Sequence, residues 1–244
     1  REKFYLKGGA LLYAIEQEYA RPTLDMDFLG VKISNDAAHI KEIFREICAL
    51  DTEDGVFFDT SKISAEVISD TKDYHGIRLS FVAHLDNIRQ TMKLDIGFGD
   101  VVTPNPVNLY YPVLMDNFPE PYILAYSSET IVAEKFQAMV ELSEVNSRYK
   151  DFYDVFRLLS RHFLDETVLA TAIETTFRNR NTGFIPNHPL FSTQFSTDEE
   201  RNKHWGRFLK KINRENLTFE TVMDTIKLRL QPIYEKIATN NNPM

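Results

Sequence analysis

The stretch FYLKGGALLYAIEQEYARPTLDMDFLG, which runs from Phe4 to Gly30, decides the fold of the first half of the chain. Its apolar start, Phe4–Lys7, predicts a short strand that ends in the glycine pair Gly8 and Gly9. The apolar positions that follow recur at helical spacing, so the strand is expected to turn directly into a helix. A second strand is predicted at Thr23–Val31, because two aspartates alternate there with apolar residues.

These two aspartates are the first candidates for chemistry. Side chains alternate along a strand, so Asp25 and Asp27 are expected to share one face while Met26 and Phe28 enter the core on the other. Two carboxylates held this close repel each other unless a cation lies between them, and Mg2+ prefers oxygen ligands. The same spacing also occurs on solvated edge strands, so it indicates a metal site only together with further residues.

The glycine pair suggests an anion site. At the start of a helix, backbone N–H groups and the positive end of the helix dipole attract phosphate. Gly8 and Gly9 have no Cβ, so a triphosphate could approach the backbone closely. The alternative is a tight turn that needs a positive φ.

A third acid follows in the segment MKLDIGFGD. Lys93 and Asp95 alternate onto one face of a predicted strand, beside the apolar Leu94 and Ile96. A carboxylate at this place could ligate a metal and accept the proton of an attacking hydroxyl. The alternative is a lysine–aspartate pair on a solvated face of the sheet.

The proline-rich stretch Pro104–Pro121 marks a change from mixed α/β sequence to helical sequence. Lys135 lies on the first predicted helix beyond it, beside an apolar face. In the predicted helix Lys150–Phe163, Asp151 and Asp154 are three residues apart and lie close together on the helix surface. A solvated helix start with ordinary ion pairs is the alternative explanation for these charges.

The hydrophobic patterns predict the remaining elements. Strands are expected at Val56–Phe58, Ile63–Ile68, Ile77–Ala83, Thr91–Ile96 and Tyr122–Ala125, with a turn at Tyr74–Gly76. Helices are expected at Ser128–Leu142, Lys150–Phe163, Glu166–Asn179, Asp198–Asn213 and Thr218–Ala238, with a loop at Thr182–Thr197. A further helix, capped by Ser34 or Asn35, is expected to turn Ile40, Ile43, Phe44 and Ile47 inward.

The composition favours a folded protein of the cytosol. The 244 residues carry a net charge of −8, which argues against broad nucleic-acid binding but not against a local basic surface. No apolar run is long enough to cross a bilayer, so no membrane association is expected, and no signal peptide is evident. Cys48 is the single cysteine and is expected on the apolar face of its helix. Because Arg1 closely precedes the first motif, we expect the natural chain to extend further upstream.

Five motifs occur in one order, namely FYLKGGALL, RPTLDMDF, KLDI, AEKFQAM and RYKDFYD. From Phe4 to Leu159 the chain thereby resembles the AbiEii/AbiGii family of nucleotidyltransferase toxins, within the polymerase-β-like nucleotidyltransferase superfamily. The later segment RNKHWGRFL is similar to a tryptophan-bearing helix of that family. The resemblance implies an α+β fold, with a small mixed β-sheet core and flanking helices over residues 1–121. A C-terminal helical bundle, residues 122–244, would complete the active-site cleft.

The resemblance also implies the reaction, which is transfer of a nucleoside monophosphate from an NTP to an acceptor with release of pyrophosphate. The implied cofactor is Mg2+, at a two-metal site that Mn2+ could also fill. The implied metal ligands are Asp25, Asp27 and Asp95, which with Lys135 and Asp154 form the catalytic set. The implied NTP-binding residues are Lys7, Gly8, Gly9, Arg21, Thr23, Lys93, Lys135, Lys150 and Asp151. Ala10 departs from the pattern, since the family often has a hydroxyl residue there.

The implied partners are a cognate antitoxin and an RNA acceptor, especially tRNA. A local basic surface for RNA could come from Arg148, Lys150, Arg157, Arg161, Arg178 and Arg180. Three alternatives remain open at this point: a nucleotidyltransferase that modifies a small molecule such as an antibiotic, a non-catalytic nucleotide-binding module, and a glycosyltransferase. The glycosyltransferase fits poorly with the late lysine and the helix that carries two aspartates.

Overall fold

The computed structural model describes residues 2–71, 74–115, 117–214 and 216–241. The chain divides into two units. The first unit comprises Arg1–Asp100 and Val107–Tyr126, and the second comprises Val101–Pro106 and Ser127–Met244. The fold is α+β, with a mixed sheet in the first unit and helices in the second.

The described residues form eight strands and eight α-helices. The strands are β1 (Phe4–Lys7), β2 (Met26–Gly30), β3 (Val56–Phe58), β4 (Ser64–Thr71), β5 (Tyr74–Leu85), β6 (Ile88–Phe98), β7 (Val107–Tyr110) and β8 (Tyr122–Ala125). The helices are α1 (Gly8–Glu16), α2 (Ala37–Cys48), α3 (Ser128–Leu142), α4 (Tyr149–Arg161), α5 (Glu166–Asn179), α6 (Thr193–Thr197), α7 (Glu199–Lys211) and α8 (Phe219–Asn241).

All the strands belong to one mixed sheet, in the order β3-β5-β6-β2-β1-β8-β7, with β4 also paired to β5. β2 runs parallel to β6 and antiparallel to β1, so strands that are distant in the sequence meet at the centre. One face of the sheet packs against α2, where Ile40, Ile77, Leu79 and Ile96 are almost completely buried. Because side chains alternate, the charged residues of the same strands lie on the opposite face.

The first unit corrects several sequence predictions. The predicted turn at Tyr74–Gly76 is wrong, because these residues begin β5 and the connection to β4 lies outside the described residues. Asp36, rather than Ser34 or Asn35, caps α2 by accepting a hydrogen bond from the backbone N–H of His39. Ile47 was expected to face inward but is 46% exposed, whereas its neighbour Cys48 packs against the sheet core.

Two further differences concern segments without a clear hydrophobic period. β7 was not predicted, since it is a four-residue edge strand inside the proline-rich stretch. The expected loop Thr182–Thr197 contains a short 3-10 helix at Pro189–Phe191 and the helix α6. All three elements are too short to give a periodic signal.

The core of the second unit is built from α3, α4, α5 and α8. The predicted inner face of α3 is confirmed, since Ile131, Val132, Phe136 and Met139 are almost completely buried. The ring of Phe136 lies against those of Phe177 on α5 and Tyr234 on α8. This aromatic packing fixes α3 and therefore the polar residues that it carries.

Candidate active site

The structure brings Asp27 and Asp95 together on the sheet. Asp27 lies on β2 and Asp95 on the neighbouring parallel strand β6, and the two residues are directly opposite each other in the register. Opposed residues place their side chains on the same face, and both residues are partly buried. Two of the three implied metal ligands therefore lie side by side on the sheet, and their role toward a metal stays a prediction.

Asp25 lies outside the strand on which it was predicted. β2 begins at Met26, so Thr23 and Asp25 precede the strand and the alternation argument does not apply to them. Asp25 is exposed and Thr23 is partly buried. Pro22 explains the late start, because it cannot donate a hydrogen bond to a sheet and restricts the chain around it.

The glycine pair makes room for side chains of the chain itself. Gly8 has a φ of +67°, and a Cβ at this position would collide with the carboxylate of Asp27 and lie 2.6 Å from its Cγ. A Cβ on Gly9 would lie 2.7 Å from the Cβ of Thr23. α1 begins at Gly8, so the Asp27 carboxylate lies beside the positive end of that helix, which favours a negative charge. The role of both glycines toward phosphate stays a prediction.

Lys7 ends β1 beside these groups, opposite Asp27 in the register. Its Nζ lies 2.8 Å from a carboxylate oxygen of Asp100, whose side chain is only 3% exposed. The same ammonium lies 5.0 Å from the ring centre of Tyr126, a cation–π distance. Sequence reasoning missed Asp100, although it follows β6 directly in the motif GFGD.

Arg78 is the second residue that sequence reasoning missed. It lies on β5 opposite Asp95, to which it donates two hydrogen bonds, from Nε to Oδ1 over 2.8 Å and from Nη2 to Oδ2 over 2.7 Å. The hydrogen bonds and the charge of Asp95 raise the pKa of the Arg78 guanidinium above its ordinary value, and the charge of Asp25 adds to the effect. The expected partner, Lys93, is exposed and lies opposite Ser80.

The remaining predicted residue of this unit, Arg21, is partly buried just before the acids. Its Nη1 lies 3.5 Å from the carbonyl oxygen of Pro22, at the limit of a hydrogen bond.

The carboxylates suit a magnesium ion that arrives with its substrate. Within the described residues, no group of three or more acidic, histidine or cysteine side chains is close enough to enclose a metal. Mg2+ is commonly held by one or two carboxylates together with substrate phosphates, rather than by a complete protein cage. The adjacent pair Asp27 and Asp95, with the Asp27 carboxylate packed against the backbone of Gly8 where a Cβ would collide with it, fits this donor set.

A second charged cluster lies inside the helical unit. Nζ of Lys135 on α3 lies 2.7 Å from Asp151 and 2.9 Å from Asp154, both on α4. Arg148 approaches the other oxygen of Asp151 at 2.7 Å. The side chains of Asp151 and Asp154 are 1% and 3% exposed, so this is a buried cluster and not the solvated helix start considered above. Lys150 is exposed beside it.

The cluster favours the charged forms of Lys135 and Asp151. Burial raises the pKa of Asp151, but the charges of Lys135 and Arg148 and the hydrogen bond from Lys135 outweigh burial, and its pKa falls below the ordinary value. Burial lowers the pKa of Lys135, but the two carboxylates outweigh this effect and raise it. Two of the three N–H groups of Lys135 are thus directed at carboxylates.

Arg180 is engaged in a neighbouring network. Its guanidinium donates a hydrogen bond to the side-chain oxygen of Gln137 over 2.9 Å and lies 3.2 Å from Glu134. Gln137 in turn donates to the hydroxyl of Thr182, which donates to Glu141. We therefore expect Arg180 to hold the loop after α5 against α3, rather than to bind RNA.

The motifs and their geometry agree with the comparison to known families. The profile described as nucleotidyl transferase AbiEii toxin, type IV TA system, matches residues 1–225. The chain belongs to the AbiEii family. An AbiEii protein is a nucleotidyltransferase toxin of a type IV toxin–antitoxin system, so the family supplies both a reaction class and an antitoxin partner.

Two solved structures from Helicobacter pylori are similar to this AbiEii chain. One is JHP933, with 16% identity and a TM-score of 0.48, over 98% of this chain and 87% of that one. The other is a protein assigned to the nucleotidyltransferases, with 15% identity and a TM-score of 0.49, over 99% of this chain and 90% of that one. No curated protein matches the sequence. Among the described residues, every helix is too short or too polar to span a membrane.

Proposed function

We propose that this AbiEii chain transfers a nucleoside monophosphate from an NTP to the hydroxyl group of an acceptor. The acceptor oxygen forms a bond to the α-phosphorus, the bond from that phosphorus to the leaving oxygen breaks, and pyrophosphate departs. The adjacent carboxylates of Asp27 and Asp95 carry this proposal, because few structural needs place two like charges opposite each other on paired strands.

The carboxylates of Asp27 and Asp95, with Asp25 beside them, would hold Mg2+. When bound, the ion neutralises charge on the polyphosphate and orients it for displacement. Asp95 is the proposed acceptor of the hydroxyl proton, since it lies at the centre of the sheet with Asp27 as its neighbour. The chain contributes mainly position and charge, as is usual in phosphoryl transfer.

The start of α1 supports a place for the NTP phosphates near these acids. The backbone at Gly8 combines a positive helix end with a position that lacks a Cβ. Lys7 brings an ammonium group to the same end of β1. Roles at the nucleotide remain predictions for the other implied residues, namely Arg21, Thr23, Lys93, Lys135, Lys150, Asp151 and Asp154.

RNA, and tRNA in particular, is the proposed acceptor. The exposed cations on and beside α4 support it, since Lys150 and Arg161 are exposed and the Arg148 side chain is 47% exposed. A protein with a net charge of −8 needs such a local basic surface to hold a polyanion. The proposed consequence is toxicity that the cognate antitoxin counteracts.

The test is to incubate the purified protein with Mg2+, each radiolabelled NTP in turn and total RNA, and to resolve the products on a denaturing gel. We expect label on a discrete RNA band, and we expect Asp27→Asn to abolish it while the circular dichroism spectrum stays unchanged. Asp86→Asn removes an exposed carboxylate from the turn between β5 and β6 and is the matched control. Full activity of Asp27→Asn would refute the assignment of the acids.

The same incubation with an added small molecule, together with a titration of NTP binding, separates the rival functions. Label on an added small molecule such as an antibiotic, instead of RNA, would favour a nucleotidyltransferase of that kind. Failure of any NTP to bind, with or without Mg2+, would favour a non-catalytic module. Both outcomes leave the fold as described.

A further inference from the structure

Four charged residues form a row across the centre of the sheet. Lys7, Asp27, Asp95 and Arg78 lie opposite one another in the register of β1, β2, β6 and β5. Opposed residues share a face, so the charges along the row run positive, negative, negative, positive. Each end of the acid pair therefore has a cation of the chain next to it.

The cation at the Asp95 end is held in a specific geometry. Arg78 directs two nitrogens at the two oxygens of Asp95, at 2.8 and 2.7 Å, which is the bidentate arrangement of arginine with a carboxylate. The pair is partly buried, with the Asp95 side chain 20% exposed and the Arg78 side chain 35% exposed. The third nitrogen of the guanidinium, Nη1, lies outside the pair.

A divalent cation and Arg78 therefore compete for the same oxygens. A metal ligand needs a lone pair that points at the ion, and the hydrogen bonds from Arg78 take one lone pair on each oxygen of Asp95, so that an ion is left only the remaining lone pair of each. The positive guanidinium also repels an approaching ion at this short distance. Polyphosphate, in contrast, offers oxygens that a guanidinium fork binds as well as it binds a carboxylate.

We propose that Arg78 is the resident counter-cation of Asp95, and that it withholds this carboxylate from a divalent ion until a nucleotide polyphosphate draws the guanidinium away. Metal binding is then coupled to nucleotide binding. In the absence of nucleotide, Arg78 acts as a positioning residue that orients the Asp95 carboxylate. This inference rests on the proposed function, and it names a regulation of the same site.

The test measures metal binding directly, with Mn2+ as the probe and electron paramagnetic resonance of the free ion as the signal. Without nucleotide, we expect Arg78→Gln to bind Mn2+ about tenfold more tightly than the wild type, a coupling of ordinary size between two ligands. Arg89→Gln, which removes an exposed cation from the same sheet, controls for net charge. It should match the wild type. Adding Asp95→Asn to Arg78→Gln should remove the gain.

Two further measurements keep the inference open to refutation. Arg78→Lys retains the charge without the planar guanidinium, and its Mn2+ affinity should stay within about threefold of that of the wild type. If Arg78→Gln does not fold, Arg78→Met takes its place. For the wild type, a non-hydrolysable NTP analogue should tighten Mn2+ binding. Equal Mn2+ affinities of wild type and Arg78→Gln would overturn the inference.

The outcomes distinguish this inference from the proposed function. Tight Mn2+ binding by the wild type without nucleotide overturns the withholding role of Arg78 and leaves the transfer reaction standing. Absence of Mn2+ binding in every variant, with and without nucleotide, overturns both. The Mn2+ affinities are compared only among variants whose circular dichroism spectrum matches that of the wild type.

Discussion

Removal of the Lys135 ammonium should strongly destabilise the helical unit. In Lys135→Met the two carboxylates that it contacts at 2.7 and 2.9 Å remain in place, with side chains that are 1% and 3% exposed. Breaking a buried ion pair by removing one partner typically costs 3–5 kcal/mol, because an uncompensated charge stays buried. Arg148 still neutralises part of the charge on Asp151, so we expect a loss of about 3 kcal/mol, at the lower end of that range.

The assay is urea unfolding followed by the fluorescence of Trp205, the single tryptophan, which is buried in the same unit. Arg178→Met is the control, because it breaks an exposed pair with Glu174 and should change the free energy of unfolding by about 0.5 kcal/mol or less. The double variant Lys135→Met/Asp154→Asn should recover part of the loss, since it removes one buried charge.

The loss should depend on pH in a defined direction. The folded state lowers the pKa of Asp151, so its stabilisation is present above the unfolded pKa of about 3.9 and is lost as the pH falls through the folded pKa. The folded state raises the pKa of Lys135, so its contribution is present below about 10.4 and is lost as the pH rises further. The difference in free energy of unfolding between wild type and Lys135→Met should therefore become smaller as the pH is lowered. A loss below about 1 kcal/mol at neutral pH would refute the buried cluster.

Two other substitutions test the geometry. Gly8→Ala should lower stability by about 2–4 kcal/mol, because alanine is strained at a φ of +67° and its Cβ would displace Asp27. Gly206→Ala, in the middle of α7 with open space around it, should instead raise stability by about 0.5–1 kcal/mol, and circular dichroism would measure both. Trp205→Phe removes the hydrogen bond from Nε1 to the carbonyl of Leu217 over 2.7 Å and should cost about 1 kcal/mol plus lost packing, whereas an unchanged melting temperature would contradict that contact.

The sequence predicted those features that depend on local periodicity. β1, β3, β8, α3 and α5 have the predicted bounds. The helices α3 and α5 combine a clear hydrophobic period with a clear end signal, and the three strands are short apolar runs bounded by glycine, proline or aspartate. Ser127 and Asp165, for example, cap α3 and α5 through their side chains. The meeting of Asp27 with Asp95 was predicted only through the resemblance to a family, since it depends on a pairing between distant strands.

What the sequence did not predict depends on register and on packing between elements. Arg78 alternates with apolar residues on β5, which marks its face, but its pairing with Asp95 follows from the alignment of β5 with β6. Lys135 was assigned to the triphosphate, and its pairs with Asp151 and Asp154 follow from the packing of α3 against α4. A pattern within one element cannot supply such information.

The central pairing of β2 with β6 affects the order in which the strands of the sheet can pair during synthesis. β5 and β6 are joined by a tight turn and can form while the chain is still growing, whereas β2 must wait for β6 across a long intervening segment. Such non-local contacts close a large loop and form slowly. The acid pair is therefore assembled only after residue 95 has left the ribosome, and a truncated chain that stops earlier carries Asp27 without its neighbour.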